Sequence, residues 1–185
     1  MIGYAFCGSF CTLTASLGVL ASLAEKEDIL PIVSNVVYGT DTRFWQAEAF
    51  LREVERITGR APIHTIPDAE PLGPKIHLDS MIIAPCTGNT LATLAGGITD
   101  TPVTMAAKAH LRSDRPLLIA LASNDALSAN LKNIAVMLNR KNVYFVPMHE
   151  DDPRHKPHSL VCDFAAIHEA YGLMQLGRQL HPLFK

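Results

Sequence analysis

The residues best suited to chemistry stand in four short polar stretches, each directly after an apolar run: Gly8-Ser9, Ser34-Asn35, Thr87-Gly88-Asn89-Thr90 and Ser123-Asn124-Asp125. Small hydroxyl and amide residues at a helix start offer backbone and side-chain donors to an anion. The helix dipole adds about 0.3–1 kcal/mol at an exposed end. A phosphate is the natural ligand for such donors. The same residues are the preferred N-caps of ordinary helices, and for any single stretch the cap is the simpler reading. Recurrence of the pattern at one sheet edge brings a phosphorylated cofactor level with it. Asn124 and Asp125 suit either a hydrogen bond to substrate or a cap, the cap being favoured.

Other candidates carry competing readings. Lys108 suits an anion clamp and His110 an acid-base group, although a solvated helix face explains both and is preferred. The tract His149 to His158 holds three His and three acids, which suggests a metal. Its prolines prevent an i,i+4 ligand pair, and an exposed lid or subunit-contact loop suits it better. Cys7, Cys11, Cys86 and Cys162 lack C-x-x-C spacing and read as buried or loop thiols, with a redox role for Cys7 and Cys11 the lesser alternative. A Gly-rich loop ending in Gly-Lys-Ser/Thr is absent, and so is a complete G-x-G-x-x-G after the first apolar run. ATP hydrolysis and ordinary NAD binding lose support.

The elements that must position these residues follow from hydrophobic periodicity. Residues 2–7 predict a strand, Gly8-Ser9-Phe10 a break, and 12–25 a helix with Leu13, Leu17, Leu20 and Leu23 on one face. A second strand over 29–33 and helix over 43–58 follow, closed by Gly59. Residues 61–66 predict a third strand and 67–74, with three prolines, a loop. Strand 81–84 leads through Pro85 to Thr90 into helix 91–95, closed by Gly96-Gly97. Helix 103–111, strand 116–121, helix 129–139, strand 143–146, the loop 148–158 and a long helix over 160–180 complete the chain. Strands written as continuous Ile, Val, Leu and Ala runs between helices imply an α/β fold: a doubly wound, mostly parallel sheet in a Rossmann-like three-layer sandwich.

With 185 residues, 48% hydrophobic content and only 18% charge, the chain is long and apolar enough to bury a core and is expected to form one domain. A net charge of −2 gives no basic face for nucleic acid or an anionic membrane. The start is broken by Gly3, Gly8 and Ser9 and reads as neither signal peptide nor membrane span, so a cytoplasmic location is expected.

The stretch Pro85-Cys86-Thr87-Gly88-Asn89-Thr90 resembles the Pro-Ala-Ser-Ala-Asn-Thr signature of the homo-oligomeric flavin-containing cysteine decarboxylase superfamily. Gly97-Ile98-Thr99-Asp100 resembles its Gly-x-x-Asp run. Within that superfamily the dipicolinate synthase B-subunit family is most similar, through Gly-Ser-Phe-Cys-Thr at 8–12, Tyr-Gly-Thr-Asp-Thr-Arg-Phe at 38–44, residues 99–112, Ser123 to Leu127 and Lys132-Asn133-Ile134. The resemblance implies an FMN cofactor held by Gly8, Ser9, Phe10, Ser34, Pro85, Cys86, Thr87, Gly88, Asn89, Thr90, Thr104 and Ser123. The phosphate would lie at Gly8-Ser9 and Ser34, with Thr87 to Thr90 and Thr104 along the ring system and ribityl chain. Asn124 matches the Asn of the superfamily's Pro-Ala-Met-Asn motif and is the implied catalytic residue; no metal is implied. The rest of that motif has become Leu-Ala-Ser, and Pro71 stands where the decarboxylases carry their active-site His.

The resemblance therefore implies one component of a dipicolinate synthase, an oxidoreductase acting on a small dicarboxylate in the mother cell of a sporulating bacterium. Its companion would be an NAD(P)-dependent dehydrogenase-like chain, the A component of that family. Assembly as trimers or multiples of trimers is expected, with Lys108, Arg112 and Arg154 as candidates for the substrate carboxylates. Two alternatives stay open: a decarboxylase of the phosphopantothenoylcysteine type, and a non-catalytic scaffold that activates the dehydrogenase.

Overall fold

The computed structural model describes residues 1–73 and 75–185. Strand β1 (Ile2–Phe6) leads through a 3-10 turn at Phe10–Thr12 into α1 (Leu13–Ala24). β2 (Ile29–Val33) is followed by the short α2 (Asn35–Gly39), α3 (Ala47–Thr58) and α4 (Ile66–Ala69). β3 (Ser80–Thr87) feeds α5 (Gly88–Ala95) and then α6 (Pro102–Leu111). β4 (Leu117–Ser123), α7 (Leu131–Leu138) and β5 (Val143–Phe145) come next. The chain ends with β6 (Met148–Asp152), β7 (Lys156–Cys162) and α8 (Ile167–Gln175).

The strands form one sheet in the order β2-β1-β3-β4-β7-β6, with β5 also paired to β4. β2, β1, β3, β4 and β5 are mutually parallel, so the strand order reverses between β1 and β3. Their apolar runs are covered on both faces. Ala5, Ile83, Ile119 and Leu121 face one buried layer, and Tyr4, Phe6, Ile82, Leu118 and Ala120 the other. This is the expected doubly wound α/β architecture. Ligands in such sheets sit beyond the carboxyl ends of the strands at the reversal, so β1, β3 and β4 set the site.

β4 is shared between two partners. Its lower half, Leu117 to Ile119, pairs with β5, and its carboxyl end, Ala122 and Ser123, pairs antiparallel with β7. The stretch expected as a lid loop at 148–158 is thus part of a β-hairpin, with β6 and β7 in antiparallel register. Met148, Leu160 and Cys162 are buried while the charged residues between them point outward. Long runs of charge masked the alternation in the sequence. The same hairpin overturns the helix expected over 160–180. Residues 160–162 belong to β7, and α8 begins only after a 3-10 turn capped by Asp163. Gly177, at φ +70°, ends the segment.

The strand expected over 61–66 reduces to a single bridge, Ile63 to Ile32. Pro62 beside it cannot donate to a ladder, and the chain enters α4 at Ile66. The loop expected over 67–74 begins inside α4, and residue 74 lies outside the described residues. Three helices also start elsewhere than expected by two residues or more: α5 begins at Gly88, α7 at Leu131, and α3 at Ala47, after the separate turn of α2.

Pro85 disrupts the centre of the sheet. A proline cannot donate to a ladder and is tolerated at irregularities, and the β3–β4 register shifts between Ile83 and Cys86. The carbonyls freed there are used elsewhere: Pro85 O accepts from Cys7 N at 3.1 Å and Ala84 O from Ser16 Oγ at 2.5 Å.

Candidate functional site

A cavity of about 940 Å³ opens at the carboxyl ends of β1, β3 and β4. Four stretches supply much of its wall. Gly8, Ser9 and Phe10 follow β1; Thr87, Gly88 and Asn89 join β3 to α5; Ala122 to Asp125 end β4; Ser159 to Val161 belong to β7. The size lies at the upper end of the range for cofactor sites, about 300–1,000 Å³. It has room for a nucleotide-sized group with a small substrate beside it.

The amino end of α5 forms one wall. Thr87 is extended (ψ 159°) and its Oγ1 accepts from Thr90 N at 3.2 Å. The amides of Gly88 and Asn89, in the first turn, have no acceptor within the helix and lie at the cavity. At the floor, Ser123 Oγ donates to Asp125 Oδ1 at 2.6 Å, and Asn130 Nδ2 donates to the same oxygen at 2.8 Å. Asn133 Nδ2 in turn donates to Asn130 Oδ1 at 2.8 Å. Ser123 and Asn130 are buried. The Ser123 hydroxyl and the Asn130 amide hold the Asp125 carboxyl below its usual range. Gly88 packs on this cluster so closely that a Cβ would stand 2.7 Å from Asn130 Nδ2 and 2.8 Å from Asp125 Oδ1, and nearer still to Ser123 Oγ. Only glycine leaves both the wall and the cluster in place.

The cavity also gathers cations. Arg43 lies over the Phe44 ring, 4.8 Å from its centroid, and Lys132 enters from the first turn of α7. Neither forms an ion pair among the described residues, whereas Lys156 pairs with Asp151 at 2.6 Å. Two uncompensated cations, first-turn amides and a ring of small polar groups suit a ligand set rich in negative charge.

Comparison with known proteins places this arrangement. The model of the Flavoprotein family matches residues 21–175. The chain belongs to the flavoprotein family, among the dipicolinate synthase B chains. It is 39% identical to the dipicolinate synthase B chain of Bacillus subtilis (strain 168) over 183 residues, covering 98% of this chain and 92% of that protein. The solved structure of the dipicolinate synthase B chain from Bacillus halodurans C superposes with a TM-score of 0.91 at 37% identity, over 100% of this chain and 95% of the other. A dodecameric FMN-dependent Ubix-like decarboxylase from Escherichia coli O157:H7 shares the fold, with a TM-score of 0.65 at 22% identity over 96% of each chain.

Within this flavoprotein the structure brings Gly8, Ser9, Phe10, Thr87, Gly88, Asn89, Ser123 and Asn124 around one cavity. Ser34, Pro85, Cys86 and Thr90 lie behind that lining. Ser34 caps α2, accepting from Val37 N at 3.4 Å. Cys86 is buried and its thiol raised by desolvation, while Thr90 receives the hydroxyl of Thr87 at 3.0 Å. Thr104 is not brought to the cavity. It forms a capping box with Thr101 at the start of α6 and borders a second space of about 480 Å³ beside Leu94, Ile98 and Lys108.

His110 corrects the solvated-face expectation. It is buried, and its Nε2 lies 2.9 Å from Pro116 O, which requires the proton on that nitrogen. Ala106, Ala107 and Ala109 around it are buried as well, and alanines carry too little polarity signal to mark the inner face of a helix. Lys108 stays exposed. Cys7 is buried and its thiol is pushed up to about 11 by desolvation; Cys11 is exposed, and both are free thiols. Sequence reasoning missed Arg43, Asn130, Lys132 and Asn133 as lining residues. Arg43, Lys132 and Asn133 stood inside stretches that carry the family resemblance, and that was the signal available. Among the described residues no three His, Cys, Asp or Glu side chains gather as a metal site, and no helix is long and apolar enough to cross a membrane.

Proposed function

We propose that this chain is the FMN-binding component of a two-chain oxidoreductase that forms pyridine-2,6-dicarboxylate from a dihydrodipicolinate-level intermediate. The observation that carries this is the cavity at the reversal of the sheet, where small polar loops from three parallel strands meet Arg43 and Lys132, neither in an ion pair among the described residues. The residues present suit a phosphorylated flavin. Gly8 and Ser9 leave space and donors for a phosphate, the first-turn amides of α5 face the same space, and a Cβ at Gly88 would fill its floor. When bound, a flavin accepts hydride equivalents from a partly reduced ring.

The chain's own residues then bind and orient. Asn124 offers its side-chain amide at the exposed lip of the cavity, Arg43 and Lys132 draw in the substrate carboxylates, and the β6–β7 hairpin screens one side from water. The relatives are themselves the B chains of a named synthase, which supports a companion chain, proposed to be its NAD(P)-dependent dehydrogenase-like A chain. A trimer or a multiple of trimers is supported by the dodecameric relative and by the exposed Val36 and Tyr38 on α2 and Phe44 at the rim of the cavity. The cytoplasm of a sporulating mother cell is the matching location.

The first test is the visible spectrum. The purified chain, alone or reconstituted with FMN, should show the absorbance of an oxidised flavin, and failure of FMN to bind removes the cofactor. Mixed with the dehydrogenase-like chain, it should form pyridine-2,6-dicarboxylate. Full turnover by either chain alone refutes the two-component scheme.

A further inference from the structure

Asp125 sits differently from the other carboxylate at the cavity. Asp151 is neutralised by Lys156. Asp125 has no cationic partner among the described residues; its Oδ1 is satisfied twice, by Ser123 Oγ and Asn130 Nδ2. Oδ2 takes no hydrogen bond among the described residues, and the side chain borders the open space. A carboxylate locked through one oxygen with the other left free is a preorganised proton acceptor. A helix cap needs no such arrangement, and the following turn is in fact closed by Asp125's backbone carbonyl, which accepts from Ser128 N and Asn130 N. The clamp has its own support: Asn133 fixes Asn130, and Gly88 presses on all three members of the cluster.

We propose that Asp125 is the proton acceptor of the site, resting on the reading that a dihydropyridine dicarboxylate is oxidised there. Conversion to the aromatic ring removes one hydride and one proton from adjacent ring carbons. The hydride, with its two electrons, goes to the oxidant, a flavin or a nicotinamide. The proton goes to Asp125 Oδ2, the electrons of that C–H bond complete the aromatic ring, and the carboxyl then releases the proton to water. Two substrate carboxylates arriving beside it raise the carboxyl's proton affinity at the moment it is used. The charged and titratable groups sharing the cavity are Arg43, Lys132, the Lys156–Asp151 pair and the Cys11 thiol. The cations hold the dianion in place and limit that rise.

Asp125→Asn is the discriminating variant. It keeps an oxygen for Ser123 and Asn130 and replaces only the free oxygen by an amide. Formation of pyridine-2,6-dicarboxylate by the two-chain enzyme should fall by about 10²–10⁴-fold, the usual worth of a general base. Melting temperature should hold, and binding of pyridine-2,6-dicarboxylate should be retained or tighter, because a like charge is gone. Turnover within about threefold of wild type overturns the assignment. So does lost binding together with a lowered melting temperature, which would mark a structural role. A second arm needs no turnover. Calorimetry of pyridine-2,6-dicarboxylate binding in two buffers of different ionisation enthalpy should show proton uptake by wild type and none by D125N. Equal uptake in both, or none in either, refutes the proton acceptor; wild type that binds with uptake yet forms no product refutes the reaction and leaves the acceptor standing.

Discussion

Substituting Gly88 by alanine tests whether the wall and the floor of the cavity are one mechanical unit. The added methyl would stand 2.7 Å from Asn130 Nδ2 and 2.8 Å from Asp125 Oδ1, against an ordinary contact of at least 3.4 Å. These are tethered atoms at the bottom of a hydrogen-bonded cluster, so the strain cannot be relieved by swinging one flexible tip. Overpacking of this kind costs about 1–3 kcal/mol, and loosening one hydrogen bond to a carboxylate costs about 1.5–3 kcal/mol more. The gain from alanine over glycine in a helix returns at most about 1 kcal/mol. The net loss is about 1.5–5 kcal/mol, which at this chain length lowers the melting temperature by about 3–20 °C. Displacement of Asp125 and Ser123 into the cavity should also weaken FMN binding at least about tenfold, or about 1.4 kcal/mol. Thermal melts and flavin fluorescence titration read the two effects. Gly18→Ala is the control: nothing lies within 4 Å of its added methyl, and it should stabilise α1 by about 0.5–1 kcal/mol. A G88A protein that melts like wild type and binds FMN equally well would refute the close packing described.

The remaining expectations concern buried polar groups. His110 is held neutral: desolvation lowers its pKa, and protonation would place an N–H on Nδ1, which has no partner among the described residues. Its stabilising effect is therefore complete above the unfolded histidine pKa of about 6.5 and is lost as pH falls below it. Urea midpoints measured at about pH 7.5 and pH 5.5 should drop for wild type and drop less for His110→Gln; an equal drop would refute the assignment. Native-state alkylation should modify Cys11 alone, because Cys7, Cys86 and Cys162 are buried with raised thiol pKa values. Labelling of Cys7 before unfolding would show that the floor of β1 is open to solvent.

Much of this molecule is written locally. The parallel strands are continuous apolar runs flanked by helical periodicity, and the turn residues after β1, β3 and β4 mark the edge where the cavity opens. That pattern depends on neighbours in the chain, and it placed Gly8, Ser9, Thr87, Gly88, Asn89, Ser123 and Asn124 at one end of one sheet. The family resemblance added the flavin, which no spacing argument could supply.

Other features depend on distant partners. The hairpin of β6 and β7 exists because the carboxyl end of β4 offers an unpaired edge beyond β5, and no local signal distinguishes such a strand from a charged loop leading into a helix. His110 is buried because α6 turns an alanine face inward, a choice set by packing and not by polarity. Arg43 and Lys132, 89 residues apart in the chain, border one cavity. The clamp on Asp125 needs Gly88 from α5, Asn130 from the turn before α7 and Ser123 from β4 at close range. Sequence alone thus determined the layers and the edge at which a site forms. Tertiary structure decided which side chains meet there, because contacts between residues far apart in the chain are fixed only when the sheet closes its register.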